Sequence, residues 1–234
     1  MVQKFVSVLK DFTHLFLPHY CLAGCGNDEL DADEQLCFQC IQSLPETGFF
    51  NSFDNPVEKI FFGRTKIQHA GAAYYFTKDS LLQYLIKQLK YRNNKEIGYA
   101  LGRLVGLQLL DSERFSSIDA LIPLPLNSKK EALRGYNQAA IICEGIASVL
   151  QKPILTKAVK RIYFTETQTK QNRLQRWQSM QHVFTVKNKE LLRNKHILLV
   201  DDIVTTGATL EACASVMNEV ENCVVSIATV AYTI

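Results

Sequence analysis

The sequence predicts an α/β protein whose main part is a parallel β-sheet flanked by helices, preceded by a small cysteine-rich segment. Continuous apolar runs such as "HILLV" and "CVVSIATV" alternate with helical patterns after Ile118. Strands that are apolar along their whole length are typical of parallel sheets covered on both faces. One of these strands ends in two adjacent carboxylates, Asp201 and Asp202. Four cysteines crowd into residues 21–40, which predicts a separate, small metal site.

The predicted elements follow one another along the chain. An apolar stripe in the first 20 residues predicts an amphipathic helix, and the turn-rich residues 51–64 predict a linker. "IQHAGAAYYF" alternates loosely and predicts a strand pair or hairpin, and helices are expected in "SLLQYLIKQLKYR" and over about 96–110. The remaining elements are a strand in "IDALIPLPL", a helix in "YNQAAIICEGIASVL", a short strand near Ile154, the strands "HVFTV" and "HILLV", a helix in "ATLEACASVMNEV" and a last strand in "CVVSIATVAYTI".

Length and charge narrow the class of protein. A chain of 234 residues can form one α/β domain with an appendage, and we expect a division into residues 1–55 and 56–234. No apolar run approaches the ~18 residues of a membrane span, and no cleavage site follows the N-terminal stripe, so we expect a cytoplasmic protein. Residues 1–60 carry a formal charge of −6 and residues 61–234 one of +9. The basic part favours phosphate-bearing ligands or nucleic acid, although a mildly basic surface without a role is the alternative.

The strand that ends in two aspartates predicts a ligand site. In parallel sheets, ligands bind beyond the carboxyl ends of strands, where a helix N-terminus presents free amides to anions. The segment "IVTTGAT" supplies hydroxyls and a glycine that allows close backbone approach, which suits a phosphate group. Carboxylates at Asp201 and Asp202 suit the vicinal hydroxyls of a ribose, or a magnesium ion held through water. These features predict a sugar phosphate; a simple helix cap, the alternative, needs one hydroxyl and no paired acids.

Three segments resemble a known family. "ILLVDDIVTTGATL" resembles the phosphoribosyl-pyrophosphate (PRPP) signature of type I phosphoribosyltransferases. "DALIPLPLNSKKEALRGYNQA" resembles the proline-flanked loop and R-G-[FY]-N-Q-A segment of the ComF (competence protein F) family, and "LKYRNNKEIG" resembles its LKY-x-G segment, with Asn93 where glycine is expected. The resemblance implies the type I phosphoribosyltransferase fold with an N-terminal four-cysteine zinc ribbon.

The resemblance also implies roles for individual residues. Asp201 and Asp202, the catalytic pair, would bind the ribose hydroxyls of PRPP. Its pyrophosphate would face a basic turn that follows Pro123-Leu124-Pro125 and contains Lys129, Lys130 and Arg134. Its 5′-phosphate would bind the threonine loop, which consists of Thr205, Thr206, Gly207, Ala208 and Thr209.

The reaction implied is a magnesium-dependent displacement of pyrophosphate from PRPP, in a protein linked to competence and DNA uptake. Purine-salvage members of the superfamily carry a third acid where Thr205 stands here, so their reaction is not expected. The alternative is a non-catalytic accessory protein of natural transformation that senses PRPP or binds single-stranded DNA, and that contacts other DNA-uptake proteins. Neither the acceptor nucleophile nor the oligomeric state follows from the sequence.

The cysteines of residues 21–40 have the spacing of a structural zinc site. Cys21, Cys25, Cys37 and Cys40 form the pattern C-x3-C-x11-C-x2-C. Two close pairs joined by a short loop can bring four thiolates into the tetrahedron that Zn²⁺ requires, and four protein ligands leave no open position for catalysis. Disulfide bonds are the alternative, which the absence of a signal peptide disfavours.

A basic segment precedes the last strands of the sheet. Residues 157–176 contain six bases and one acid, with Tyr163 and Phe164 within the segment and Trp177 just after it. Such a segment can close over a polyphosphate, bind single-stranded nucleic acid by phosphate contacts and stacking, or be a solvated loop. A basic stripe that continues through Lys87, Lys90, Arg92 and Lys95 would favour DNA binding.

Overall fold

The computed structural model describes residues 19–26, 29–30, 34–162 and 183–234. The helix expected in the first 20 residues falls almost wholly outside these ranges, as does most of the basic segment. At the centre lies a four-stranded sheet in which every neighbouring pair is parallel. Its strand order is β3 (Ala70–Phe76), β8 (Val224–Thr233), β7 (His196–Val204) and β4 (Ala120–Pro123). The predicted α/β class with a parallel sheet is confirmed.

The helices lie between the strands in sequence and cover both faces of the sheet. They are α1 (Phe38–Gln42), α2 (Pro56–Phe61), α3 (Leu81–Tyr91), α4 (Lys95–Leu110), α5 (Ser128–Arg134), α6 (Gln138–Leu150) and α7 (Ala208–Asn218). Short 3₁₀ turns occur at Glu113–Phe115 and Lys189–Leu191. Two small antiparallel ribbons complete the description: β1 (His19–Tyr20) with β2 (Glu29–Leu30), and β5 (Val159–Arg161) with β6 (Phe184–Val186). In the described ranges, no helix has the length and apolarity needed to cross a membrane.

The hairpin expected in "IQHAGAAYYF" is wrong. The segment forms one strand, β3, which pairs in parallel with the C-terminal strand β8. Gly71 makes no turn, since it lies within the strand and pairs with Ala228. It packs closely against Phe50, where an added Cβ would be 2.6 Å from Phe50 Cδ1. The strand expected near Ile154 is reduced to a single parallel bridge with Leu121. Both differences arise because pairing partners come from distant parts of the chain.

The two helices α4 and α6 pack with their backbones nearly in contact. A Cβ at Gly102 would be 2.2 Å from the carbonyl oxygen of Ile142, and one at Gly145 would be 2.2 Å from that of Tyr99. Glycine is therefore required at this crossing, since any side chain would separate the helices. One apolar cluster contains the buried residues of α3 and α4 together with Ala228 and Val230 of β8, so both helices pack on the same face of the sheet.

The cysteine-rich segment shares its core with the sheet. Cys21, Cys37 and Cys40 are buried in the same apolar cluster as Phe50 and Tyr74, and the cluster continues across one face of the sheet. A second cluster covers the opposite face and includes Phe61 and most of the buried face of α7. The segment is thus packed onto the main fold, and the division at residue 55 stays a prediction.

Candidate functional site

Asp201 and Asp202 lie within β7, near the carboxyl edge of the sheet. β7 extends four residues past Val200, where the apolar run ends, so both acids belong to the strand itself. The backbone of Asp201 is in register with Thr229 of β8. Side chains alternate between the faces of a strand, so the two carboxylates have different neighbours. Asp202 forms an ion pair with Lys90 Nζ at 3.0 Å, and Asp201 Oδ1 accepts a hydrogen bond from the backbone N–H of Asp202 at 2.9 Å.

The two carboxylates differ in their electrostatic environment. Burial and the adjacent charge of Asp202 raise the pKa of Asp201 from its usual value of 3.8 to about 8. The N–H of Asp202 and the cations of Lys90 and Arg134 oppose this shift without cancelling it. Asp201 therefore holds a proton near neutral pH in the absence of ligand, and a ligand that donates hydrogen bonds or brings a cation would favour its ionised form.

The threonine loop connects β7 to the N-terminus of α7. Gly207 is the N-cap of α7 and has a φ of +70°, a left-handed conformation that glycine adopts without strain. The cap has no side chain, so the first amides of α7 remain available to an anion. A cavity of about 50 Å³ lies over the loop and is lined by residues 203–210 together with Asp201. Its size and its amide and hydroxyl donors suit one phosphate group.

A second, larger pocket adjoins the first. It has a volume of about 180 Å³ and contains three cations, Lys90, Arg134 and Arg161. Asp201 and Thr209 line both cavities, so the two adjoin at these residues. We call this larger part the cationic pocket. It suits a polyanion that extends away from the phosphate held by the loop.

Residues 134–138, "RGYNQ", form one wall of the cationic pocket. Gly135 ends α5 in a left-handed conformation with φ +79°, and Asn137 caps α6 by accepting from Ala139 N at 3.0 Å. Asn137 Nδ2 also donates to the carbonyl of Leu124 at 2.9 Å, which joins this wall to the loop after β4. Gln138 accepts a hydrogen bond from Arg134 Nη1 at 2.7 Å, which orients the guanidinium at the pocket.

The structure brings together most of the predicted site residues. Arg134 lines the cationic pocket, whereas Lys129 lies exposed on α5 and is not among the lining residues. The side chain of Lys130 is outside the described part of the structure. The polar residues that line the cationic pocket but were not assigned to the site from the sequence are Lys90, Arg161, Asn137 and Gln138.

Lys90 differs from its neighbours in the proposed basic stripe. Lys87, Arg92 and Lys95 are exposed, but Lys90 points into the pocket, so the stripe does not run through it. Helical spacing was the available signal, because Lys90 stands four positions after Ile86 and eight after Leu82, both of which are buried. Asn93, which stands at the expected glycine, has a φ of +55°. Asparagine tolerates this conformation better than other non-glycine residues, and α3 can therefore end just after Lys90.

The four cysteines of the N-terminal segment form a compact cluster. Their sulfur atoms all lie within 4.8 Å of one another, and the Sγ atoms of Cys25 and Cys37 are 3.7 Å apart. Zn–S bonds of about 2.3 Å in a tetrahedron place sulfur atoms roughly 3.8 Å apart, so the cluster fits a zinc ion. Burial and the neighbouring thiols raise the pKa of Cys40, which a bound cation would reverse. The cluster supports the predicted four-cysteine zinc ribbon.

One known domain family matches the C-terminal part of the chain. Residues 137–233 match the phosphoribosyl transferase domain. This range includes Asp201, Asp202 and the whole threonine loop, and it begins at the N-cap of α6. Lys90, Arg134 and the cysteine cluster lie before it.

Several curated relatives are similar to the chain. Competence protein F of Haemophilus influenzae is 32% identical over 142 residues, which are 59% of this chain and 62% of that protein. DNA utilization protein YhgH of Escherichia coli K12 is 30% identical over 57% of this chain and 59% of its own length. The chain thus spans about three fifths of the length of these relatives. Competence protein ComFC of Bacillus subtilis is 25% identical over 207 residues, or 81% of this chain and 80% of that protein.

A solved structure of glutamine PRPP amidotransferase from B. subtilis shows a partial likeness, with 13% identity and a TM-score of 0.45 over 62% of this chain and 30% of that one. The domain match and the curated relatives carry the similarity to known proteins. Together with the parallel sheet and the cysteine cluster, they confirm the resemblance to the ComF family of the phosphoribosyltransferase-like superfamily.

Proposed function

We propose that this competence-related, phosphoribosyltransferase-like protein binds PRPP across the threonine loop and the cationic pocket. The observation that carries the proposal is that the two cavities adjoin at Asp201 and Thr209, which line both of them. A sugar with phosphate at one end and diphosphate at the other matches a site with a small anion cavity, a central carboxylate and a larger cationic pocket. Ribose 5-phosphate would fill one part of this site and pyrophosphate the other.

Each part of the site has a chemical task in this proposal. The amides at the start of α7 and the hydroxyls of Thr205, Thr206 and Thr209 bind the 5′-phosphate. Asp201 and Asp202 accept hydrogen bonds from the ribose hydroxyls. Arg134 and Arg161 balance the charge that develops on departing pyrophosphate, so catalysis consists of positioning and charge stabilisation.

Two metals belong to the proposal. The carboxylates fit a Mg²⁺ ion held mainly by water and by the ligand's own oxygens, because Asp202 is already paired with Lys90. Bound there, Mg²⁺ would neutralise phosphate charge. Zinc at the cysteine cluster would be structural, and its thiolates require the reducing conditions of the cytoplasm, where we place the protein.

Calorimetric titration with PRPP, ribose 5-phosphate and pyrophosphate in the presence of Mg²⁺ tests the proposal. PRPP should bind at least about tenfold more tightly than either fragment, because it occupies both cavities at once. Equal affinities for PRPP and ribose 5-phosphate would refute the bipartite site. Release of pyrophosphate on addition of candidate amine nucleophiles then tests displacement.

A second candidate function is binding of single-stranded DNA, by itself or as a PRPP-dependent response. The observation that favours it is a rim patch beside the cationic pocket, formed by Lys87, Tyr91, Arg92 and Lys95. Tyr91 is 70% exposed, and Arg134 lies 5.6 Å from its ring centroid. An exposed aromatic ring among cations can stack on a base while the cations contact phosphates. The printed names of the relatives, competence and DNA utilization proteins, agree with a role beside DNA and other DNA-uptake proteins.

A further inference from the structure

Lys90 makes an ion pair with Asp202 that is largely shielded from solvent. Its Nζ lies 3.0 Å from Asp202 Oδ2, and the two side chains are 18% and 12% exposed. Ion pairs at an open surface contribute little, whereas removal of one partner from a shielded pair leaves an uncompensated charge. Lys90 therefore balances the carboxylate charge of Asp202 and fixes the direction in which this side chain points.

The fold places Lys90 through several independent contacts. Leu82, Leu85, Ile86 and Leu89 bury one face of α3, and Asn93 ends the segment after Arg92. Tyr136 of the RGYNQ segment donates its hydroxyl hydrogen bond to the carbonyl of Leu89, next to Lys90. The last turn of α3 is thus tied to the wall of the cationic pocket, and the lysine stem reaches Asp202 from a fixed position.

The two neighbouring aspartates, Asp201 and Asp202, have different hydrogen-bonding and ion-pair partners. Asp202 has an ammonium group at hydrogen-bonding distance, whereas Asp201 accepts a hydrogen bond from the backbone N–H of Asp202. The other two cations of the pocket have different partners. Arg134 donates to Gln138, Arg161 lies 5.4 Å from the ring centroid of Phe184, and among the described residues no carboxylate lies within ion-pair distance of either.

We propose that Lys90 is a positioning residue, which holds the Asp202 carboxylate in the orientation that accepts a ribose hydroxyl. This inference rests on the proposed binding of PRPP and assigns different tasks to the cations. Lys90 acts through Asp202, while Arg134 and Arg161 remain available to the diphosphate. Asp202, held by this ion pair, then accepts a hydrogen bond from the sugar in a fixed orientation.

A double-mutant cycle on the full-length, zinc-replete protein tests this role. PRPP affinity with Mg²⁺ is measured by calorimetry for the wild type, Lys90→Met, Lys90→Arg, Asp202→Asn and the double variant Lys90→Met/Asp202→Asn. Lys90→Met should weaken binding about 10- to 50-fold, and Lys90→Arg should recover most of the loss because it keeps the charge. The double variant should bind within about twofold of Asp202→Asn, since Lys90 has no task once Asp202 is neutral.

The matched control is Lys195→Met, a half-buried lysine at the opposite edge of the sheet, next to His196. It should bind PRPP like the wild type. Wild-type affinity in Lys90→Met, or losses in the double variant that multiply those of the single variants, would overturn the positioning role. The double variant also covers the case in which Lys90→Met fails to fold, since it leaves no unpaired carboxylate at position 202. Absence of PRPP binding by the folded wild type would instead overturn the proposed function itself.

Discussion

Gly207 lies directly against Ile60, at a distance that leaves no room for a side chain. A Cβ on Gly207 would be 2.5 Å from Ile60 Cγ2 and 3.0 Å from a ring carbon of Phe61. The loop around this glycine is further held by Arg64, which donates to the carbonyl of Thr206 at 3.1 Å and forms an ion pair with Glu211. Residues 60–64 thus fix the shape of the threonine loop. The proposed phosphate site therefore depends on a contact with α2.

Gly207→Ala should both destabilise the protein and impair PRPP binding. The left-handed φ costs about 1–2 kcal/mol for a residue with a Cβ, and the contact with Ile60 should add about 1–3 kcal/mol. Urea unfolding measures the loss. Gly63→Ala is the control, because Gly63 has the same φ of +70° but nothing within 4 Å of its added Cβ. Equal losses in the two variants would show that the contact with Ile60 is unimportant.

Asp201→Asn should stabilise the ligand-free protein, in contrast to Asp202→Asn. Because folding raises the pKa of Asp201 from 3.8 to about 8, its contribution to stability is full below pH 3.8 and is lost as the pH rises through 8. The stabilisation by Asp201→Asn should therefore grow from pH 5 to pH 9 and reach at least about 1 kcal/mol, or roughly 2–4 °C in Tm. Asp202→Asn should lower Tm, since it leaves Lys90 without its partner. Thermal unfolding from pH 5 to pH 9 shows whether Tm rises in Asp201→Asn and falls in Asp202→Asn. A decrease in Tm for Asp201→Asn at pH 9 would contradict the raised pKa of Asp201.

PRPP affinity should rise with pH as Asp201 ionises. The ionised carboxylate accepts hydrogen bonds from ribose hydroxyls and interacts with Mg²⁺ more strongly than the neutral carboxyl group does, so binding below the pKa of about 8 should be accompanied by release of a proton. Affinity should increase up to about tenfold for each pH unit below 8 and level off above it. Asp201→Asn should abolish the dependence, and Asp201→Asn/Asp202→Asn should weaken binding further while the protein remains folded. Calorimetry in buffers of different ionisation enthalpy measures the proton directly, and pH-independent affinity in the wild type would exclude this role.

One zinc ion per chain should bind to the cysteine cluster. The segment shares a core with the sheet, so removal of zinc with a chelator should lower Tm of the whole protein in one transition. Cys37→Ser should reproduce the effect and eliminate the bound metal. Cys223→Ser, a cysteine outside the cluster, should retain one zinc per chain by elemental analysis. Protein that contains no zinc after it has been prepared with an excess of zinc would refute the assignment.

Removal of the rim patch should separate DNA binding from PRPP binding. Tyr91→Ala/Arg92→Ala/Lys95→Ala removes a stacking surface and two charges. If the patch contacts DNA, affinity for single strands should fall for all sequences, and the dependence of log K on log salt should flatten by roughly 1.4, or 0.7 for each lost contact. Fluorescence anisotropy of labelled oligonucleotides at several salt concentrations measures both effects. Lys187→Ala/Lys189→Ala removes two exposed charges elsewhere and should change neither slope nor affinity; an unchanged slope in the triple variant would exclude the patch.

Local patterns in the sequence determined the fold class, the position of the candidate site and the cysteine cluster. Apolar strands followed by polar residues predicted a parallel sheet with a site at its carboxyl edge, because each strand carries its own pattern of burial. The positions of Asp201, Asp202 and the threonine loop also followed from short segments. Cysteine spacing predicted the cluster, since nearby thiols must approach one another in a short chain segment.

Tertiary structure decided the features that join distant parts of the chain. Lys90 and Asp202 are 112 positions apart, so helical spacing can place Lys90 near the buried face of α3 but cannot identify its partner. The pairing of β3 with β8, in place of a hairpin, depends on a strand about 150 residues later. The raised pKa of Asp201 likewise arises from burial, which packing produces and sequence spacing does not encode. A segment carries its own propensity and polarity, but its partners and its exposure to water are set when the whole chain folds.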